Sequence, residues 1–187
     1  MLTQSLARYQ LKFIFVLSRL IFDIYVQLGL GTNDEFVETP TRIVELDGCN
    51  VNQIAGGRFH TLFLVDSCIF VCGSNADGQL GTDSNPGAKS KEAVPRMLDV
   101  FHNSNDGPIN VPVAIKSVEC GNDESYAVSV GGKAFSWGFV TNGSLGHGPY
   151  PDNEAVQPRP RMVDIPGKVL KVSADSQHSA FLVQMED

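Results

Sequence analysis

The sequence predicts an all-β protein built from repeats, and three observations carry that prediction. Short apolar segments end on glycines, glycine-rich turns separate them, and the whole pattern returns about every 50 to 65 residues. Short strands and hairpin turns at this density are typical of all-β folds. Strands that are apolar on both faces and repeat at this period are typical of propeller blades, because each blade buries its faces only against its neighbours. We therefore expect an incomplete β-propeller of about three four-stranded antiparallel blades.

The best-preserved unit lies at residues 118–148. A short apolar strand reaches Gly121, a second apolar strand follows, and Gly131-Gly132 then turns the chain into a third strand. We expect Phe135 and Trp137 of that third strand to lie in the core, because the pattern places them on a buried strand.

Two sets of landmarks repeat on both sides of this unit and in the same order. The first set is a Leu-Gly pair followed by a strand that contains proline. Its copies are Leu28-Gly29 with Pro40, Leu80-Gly81 with Pro95, and Leu145-Gly146 with Pro158 and Pro160. The second set is a turn followed by an apolar strand. Its copies are residues 54–61, 118–125 and 172–179.

Residues 1–26 do not fit the repeat, so the chain divides into this atypical apolar segment and a partial propeller over residues 27–187. The apolar run from Phe13 is interrupted by Arg19 and Asp23, whereas a membrane-spanning helix needs about 20 apolar residues. Three alternatives stay open: a start that is not part of the native fold, a packed helix or strand, or a membrane or targeting role.

The composition excludes some classes of partner. The net charge is −7 at pH 7, which opposes bulk attraction to DNA or anionic lipid, and we expect no membrane partner. A thin basic cluster is formed by Lys89, Lys91 and Arg96.

The cysteines and histidines suggest little chemistry. Cys49, Cys68, Cys72 and Cys120 form no Cys-x-x-Cys pair, so we expect mostly buried, reduced thiols. A metal site made from Cys68, Cys72 and a histidine is the weaker alternative. We expect His102 and His147, which lie in predicted loops, to be exposed to solvent.

No enzyme motif is present: we find no nucleophile elbow, no zinc-binding HExxH and no phosphate-binding loop. The stretch between Thr82 and Lys116 is longer than its counterparts and rich in Gly, Pro, Asn and Ser. We expect it to form extended loops, because insertions in repeats usually fall in loops and often on one binding face.

Three segments carry a resemblance to a known family. They are Gly-x-x-x-Ser-Tyr-Ala-Val from Gly121, Gly-Gly-Lys-Ala-Phe-Ser-Trp-Gly from Gly131 and Asn-Gly-x-Leu-Gly from Asn142. Together they resemble the repeat of the regulator of chromosome condensation family, and the resemblance covers residues 27–183. It implies part of a seven-bladed propeller, similar to the carboxyl-terminal part of the family's exchange factor.

The resemblance also implies a function. It implies guanine nucleotide exchange on the small GTPase Ran through a propeller face, without covalent chemistry or a cofactor. His60 and His178 occupy the family's partner-facing position, and Glu124 occupies the same position in the middle repeat. The family further implies a nuclear location, with the cytoplasm as the alternative, and contact with chromatin or histones through regions that this chain lacks. The alternative function is a non-catalytic scaffold for protein–protein interaction.

The chain departs from the family pattern in ways that affect this prediction. Ser67 stands where the best-preserved unit has Gly132, and Cys72 stands where it has Trp137. About three repeats cannot close a ring, because propellers have about 4 to 8 blades. We therefore expect self-association or marginal stability, and little exchange activity from this chain alone.

Overall fold

The computed structural model describes residues 14–18, 26–32, 37–82, 86–87, 89–105, 107–140, 143–149 and 156–185, with the backbone alone for residues 15–18. The described residues form strands, turns and one short 3₁₀ turn over Val44–Leu46. The strands are β1 Phe15–Ser18, β2 Val37–Arg42, β3 Val51–Gly56, β4 His60–Val65, β5 Cys68–Ser74, β6 Lys91–Leu98, β7 Ile115–Cys120, β8 Glu124–Ser129, β9 Ala134–Phe139, β10 Val156–Val163, β11 Lys168–Ala174 and β12 Ser179–Gln184.

The strands form two complete blades and two half-blades. Blade 1 has the order β3-β4-β5-β6 and blade 2 the order β7-β8-β9-β10, with every neighbouring pair antiparallel. The amino-terminal half-blade is β1-β2 and the carboxyl-terminal half-blade is β11-β12. The twelve strands of the described residues amount to three blades, so the prediction of an incomplete all-β propeller is confirmed.

The two half-blades hold complementary strands. In blades 1 and 2 the third and fourth strands pair phenylalanine with methionine, Phe70 opposite Met97 and Phe135 opposite Met162. In the amino-terminal half-blade the same register places Phe15 opposite Arg42. The strands β1 and β2 are therefore a third and a fourth strand, whereas β11 and β12 pair like a first and a second strand.

Apolar side chains fill the spaces between consecutive blades. Between blades 1 and 2 the buried residues include Leu62, Leu64, Phe135 and Trp137, and the rings of Phe101 and Phe135 meet edge to face with centroids 5.1 Å apart. Phe135 and Trp137 are thus core residues, as predicted. Similar layers separate blade 1 from the amino-terminal half-blade and blade 2 from the carboxyl-terminal one.

Most of residues 1–26 lies outside the described residues, so the division at residue 26 stays a prediction. Residues 15–18 form β1, and Val26 is buried with a φ of 55°. Val26 stands where the next repeat has the turn glycine Gly78. The Gly29 amide donates to the Val26 carbonyl at 3.1 Å, just as the Gly81 amide donates to the Gly78 carbonyl at 3.0 Å. A left-handed φ is uncommon for a β-branched residue, so this position departs from the repeat pattern.

The predicted long insertion forms the loops on either side of β6. The loop between β6 and β7 lines an apolar cavity of about 560 Å³ together with Cys68, Ile69 and Met97. Cys68 is exposed and Cys49 half-buried, whereas Cys72 and Cys120 are buried. The expectation of mostly buried thiols therefore holds for only two of the four. In the described part of the chain, no helix has the length and apolarity needed to cross a membrane.

The prediction that His102 and His147 are exposed was wrong. The amide of His102 donates to the Pro160 carbonyl at 2.7 Å, and its own carbonyl accepts from Met162 at 2.9 Å. This pairing with β10 buries the His102 side chain. His147 is half-buried because its Nε2 lies 2.9 Å from Ser136 Oγ.

Candidate partner-binding rim

The turn between the first and second strands has the same geometry in three successive sheets. Gly57 N donates to His60 O at 2.9 Å, Gly121 N to Glu124 O at 2.9 Å, and Asp175 N to His178 O at 3.1 Å. We call the three turns, residues 57–59, 121–123 and 175–177, the rim. Because they join equivalent strands, they lie at the same end of their sheets, and each candidate residue follows one of them directly.

His60 is fully buried at the boundary between blades 1 and 2. Its Nε2 lies 2.8 Å from Ser125 Oγ, and the Ser125 hydroxyl donates to Gln79 O at 2.7 Å. Because that hydroxyl has one hydrogen, Nε2 must be the protonated nitrogen and must donate to Ser125. The other nitrogen, Nδ1, is then an acceptor, and it has no hydrogen-bond partner among the described residues.

Burial makes His60 a neutral side chain at neutral pH. Desolvation lowers its pKa to about 4, and the nearby backbone of Glu124 acts against that shift. The imidazole packs on the turn before it, since a Cβ on Gly57 would lie 2.1 Å from His60 Cε1. Glycine at this position therefore makes room for the ring.

Glu124 occupies the same place in blade 2. It is buried, its Oε2 accepts from Asp123 N at 3.2 Å, and its Oε1 accepts from Ser144 Oγ at 3.5 Å. A Cβ on Gly121 would lie 2.6 Å from Oε2, so the carboxyl group covers its turn as the imidazole covers Gly57. Desolvation raises the pKa of Glu124, and the bond from Asp123 opposes this.

His178 differs from the other two because it is exposed. It follows the rim turn of the carboxyl-terminal half-blade, where Asp175 stands in place of the glycine. Within the described residues no further blade covers that half-blade. The structure thus places the three predicted residues at one repeated position and exposes one of them.

The exposed part of the rim combines charge with an aromatic ring. The Arg58 guanidinium lies 4.7 Å from the centre of the Phe59 ring, and Arg58 N donates to Asn122 O at 2.9 Å, which joins two neighbouring turns. The pKa of Asp123 is raised by desolvation and by the charge of the nearby Asp77, and the positive charge of Arg58 opposes this shift. A surface of this composition is suited to a protein partner, since arginine and aromatic residues are enriched in interfaces.

Each sheet is linked to the next by a hydrogen bond from a side-chain hydroxyl to a backbone carbonyl, and the sequence analysis did not predict this link. Gln79 O accepts from Ser125 Oγ at 2.7 Å and from Trp137 Nε1 at 2.9 Å. The same bond repeats from Thr61 Oγ1 to Gln27 O at 2.8 Å and from Ser179 Oγ to Ser144 O at 2.7 Å. The available signal was the hydroxyl residue that directly follows each candidate residue.

Comparison with known proteins identifies the repeat. The family model described as the regulator of chromosome condensation (RCC1) repeat matches residues 22–64, 66–128 and 131–182. The chain belongs to the RCC1 repeat family. The second and third RCC1 repeats each contain the third and fourth strands of one blade and the first and second strands of the next. Each repeat therefore spans two blades.

Relatives with RCC1 repeats are much longer than this chain. The chain is 31% identical to the mouse Regulator of chromosome condensation over 170 residues, which cover 86% of the chain and 35% of that protein. It is 29% identical to the human E3 ubiquitin-protein ligase HERC2 over 166 residues, covering 86% of the chain and 3% of that protein. It thus spans well under half of each.

The fold is similar to that of Prp20p from Saccharomyces cerevisiae. The TM-score is 0.71 at 24% identity, and the match covers 88% of this chain and 39% of Prp20p. That crystal structure was described together with the binding of Prp20p to Gsp1p and histones. At this identity the likeness establishes the propeller fold.

Proposed function

We propose that this chain is a non-covalent guanine nucleotide exchange module for the small GTPase Ran, and that the rim is its contact surface. The observation that carries the proposal is the repetition of His60, Glu124 and His178 at one end of successive sheets of RCC1 repeats. The identity with the mouse Regulator of chromosome condensation supports it. We place the protein in the nucleus, with the cytoplasm as the alternative, and expect chromatin or histone contacts to need regions beyond this chain.

The three residues have different roles in this proposal. His178 and Arg58 are exposed, so they touch the partner directly. His60 and Glu124 are buried against Gly57 and Gly121, so they act as positioning residues that hold the turns in place. A rigid rim loses little conformational freedom when the partner docks, which favours affinity.

Exchange follows from differential affinity and needs no chemical step. A protein that binds the empty GTPase more tightly than the loaded GTPase weakens nucleotide binding by the same factor. His60 is suited to this passive role because its lowered pKa, about 4, keeps it neutral at neutral pH.

The test is release of labelled GDP from Ran in the presence of increasing amounts of the chain. We expect release to accelerate only slightly with chain concentration, and His178→Ala and Arg58→Ala each to weaken the affinity for Ran about tenfold, which corresponds to ~1.4 kcal/mol. Lys133→Ala is the control, because Lys133 is exposed at the opposite end of blade 2. Release at the uncatalysed rate under excess chain would refute exchange by this chain.

The second candidate is a non-catalytic scaffold. The similarity to HERC2, a ubiquitin ligase, over 86% of the chain favours it, because the same repeats there belong to another class of protein. Binding of Ran to the chain at unchanged GDP release, measured in the same samples, would favour the scaffold.

A further inference from the structure

An apolar cavity lies at the end of the blades opposite the rim. Strand β4 leads from the rim to the turn at residues 66–67, and the cavity begins beside that turn, under the loop between β6 and β7. Its volume is about 560 Å³, within the range of about 300 to 1,000 Å³ that small-molecule sites have. Its described lining residues all lie between positions 68 and 115, so the cavity belongs to the two complete blades and to their connection.

The wall of the cavity is largely apolar. Ile69, Phe101 and Ile115 line it and are almost fully buried, whereas Met97 and Val111 are 49% and 66% exposed. Apolar side chains that stay exposed together are typical of a binding site, whereas single ones are ordinary surface. Methionine adapts to irregular shapes because its side chain is unbranched and flexible. The wall is therefore suited to the apolar body of a ligand.

The loop that forms one side of the cavity is fixed in place by hydrogen bonds. Ile109 N donates to Phe101 O at 2.7 Å, and His102 pairs with β10 through two backbone hydrogen bonds. The guanidinium of Arg161 donates twice to Ser104 O, at 3.1 Å and 2.7 Å. A site that is already formed loses little conformational freedom when a ligand enters, which favours affinity.

The polar groups of the wall indicate the charge of the ligand. Asp99 is the one charged residue among the described residues of the wall, and it is exposed. It forms no ion pair with another described residue. Asn110 adds an amide oxygen that can accept a hydrogen bond. A carboxylate that is not neutralised, next to apolar surface, favours a ligand whose apolar body ends in a positive charge and disfavours an anion.

We propose that this cavity binds a small molecule with an apolar body and one amino group. The body lies against Ile69, Phe101 and Ile115, and the ammonium group lies towards Asp99. The volume, the apolar wall and the carboxylate together define this class of ligand. The proposal does not depend on the partner assigned to the rim, because the two sites lie at opposite ends of the blades.

Titration calorimetry with three compounds that share one apolar body tests the proposal. We expect phenylbutylamine to bind about three- to fivefold more tightly than the neutral phenylbutanol, as an exposed ion pair would provide, and phenylbutyrate to bind most weakly. Asp99→Asn should remove the difference between the amine and the alcohol and leave the affinity for the alcohol unchanged. Asp164→Asn, at an exposed position of the same end outside the cavity wall, is the matched control and should keep the native preference.

The thiol of Cys68 reports whether the compounds enter the cavity. Cys68 is exposed and lines the cavity, whereas Cys49 is half-buried and is not among the described lining residues. Alkylation by iodoacetamide, followed by mass spectrometry, should become slower at Cys68 as phenylbutylamine is added and stay unchanged at Cys49.

Three results would overturn the proposal. The first is equal affinity for the amine and the carboxylate, or no binding of the amine at millimolar concentration. The second is a preference for the amine that persists in Asp99→Asn. The third is an unchanged rate of alkylation at Cys68 when the chain is saturated with the amine.

Discussion

The imidazole of His60 and the hydroxyl of Ser125 meet at 2.8 Å across the boundary between two blades. The same hydroxyl donates to Gln79 O, so the three groups form a chain that fixes the direction of each hydrogen bond. His60, which the sequence predicts as a partner contact, is a structural link between blades. This position leads to specific expectations for stability.

Acid should destabilise the chain through His60. The pKa of His60 is lowered to about 4 in the folded state from 6.5, so its contribution is complete above pH 6.5 and is lost as pH falls towards 4. A shift of this size corresponds to ~3 kcal/mol of unfolding free energy. The raised pKa values of Glu124 and Asp123 act against this loss, because a carboxyl group with a raised pKa in the folded state stabilises the fold as pH falls.

A variant isolates the His60 contribution. In His60→Gln, urea unfolding between pH 7 and pH 4 should show a smaller loss of stability than in the native chain. His178→Gln is the matched control, because it makes the same substitution at the exposed position. Equal slopes in the native chain and in His60→Gln would show that His60 does not titrate as a buried group.

Removing the Ser125 hydroxyl should be costly. Ser125→Ala leaves the Nε2–H of His60 without its acceptor and removes one of the two donors to Gln79 O. An unsatisfied buried polar group costs about 1 to 3 kcal/mol, and denaturant unfolding should show a loss in that range. Ser179→Ala, at the half-buried equivalent, should cost less, and an equal cost at both sites would contradict the role of burial.

A glycine in the turn between β4 and β5 should increase the stability of the chain. Asp66 and Ser67 both have a left-handed φ, 44° and 70°, and hairpin turns of this kind prefer glycine at the second position. Ser67→Gly should stabilise the chain by about 0.5 to 1 kcal/mol, because glycine adopts this φ without a steric cost. The reverse change, Gly132→Ser at a φ of 80°, should destabilise it, and a loss of stability in Ser67→Gly would contradict the argument.

Gly73 should tolerate no side chain. A Cβ there would lie 2.4 Å from the Phe59 carbonyl oxygen, and its φ is 111°. We expect Gly73→Ala to lose about 2 to 4 kcal/mol in thermal or urea unfolding, since backbone strain and overpacking add. Gly56→Ala, where a Cβ meets nothing within 4 Å, should stay within about 0.5 kcal/mol of the native chain.

The parts of the fold that depend on local pattern were predictable from the sequence. The landmarks around Trp137 and Leu145 repeat along the chain, so the strands, the blades and the buried aromatics followed from them. The half-blades could not be predicted from the local pattern. The strands β1 and β2 pair although they are far apart in sequence, and β1 lacks the Trp-Gly pair that the repeat pattern expects there. The burial of His102 depends on pairing with β10, which no local pattern near His102 indicates.

The place of the candidate residues in the fold could be predicted from the sequence, but their exposure to solvent could not. The alignment of His60, Glu124 and His178 follows from the spacing of the repeat, and their common turn geometry agrees with it. The burial of His60 and Glu124 depends on the neighbouring blade. A single sequence contains no information on which face of a turn a later blade will cover.

Hydrogen exchange of the chain with and without Ran, read peptide by peptide, tests most directly whether the rim is the binding surface. Protection should concentrate in the rim turns 57–59, 121–123 and 175–177, with the opposite turns at 66–67 and 130–132 unchanged. Protection confined to those opposite turns or to the loop between β6 and β7, or no protection at saturating Ran, would contradict the assignment of the rim.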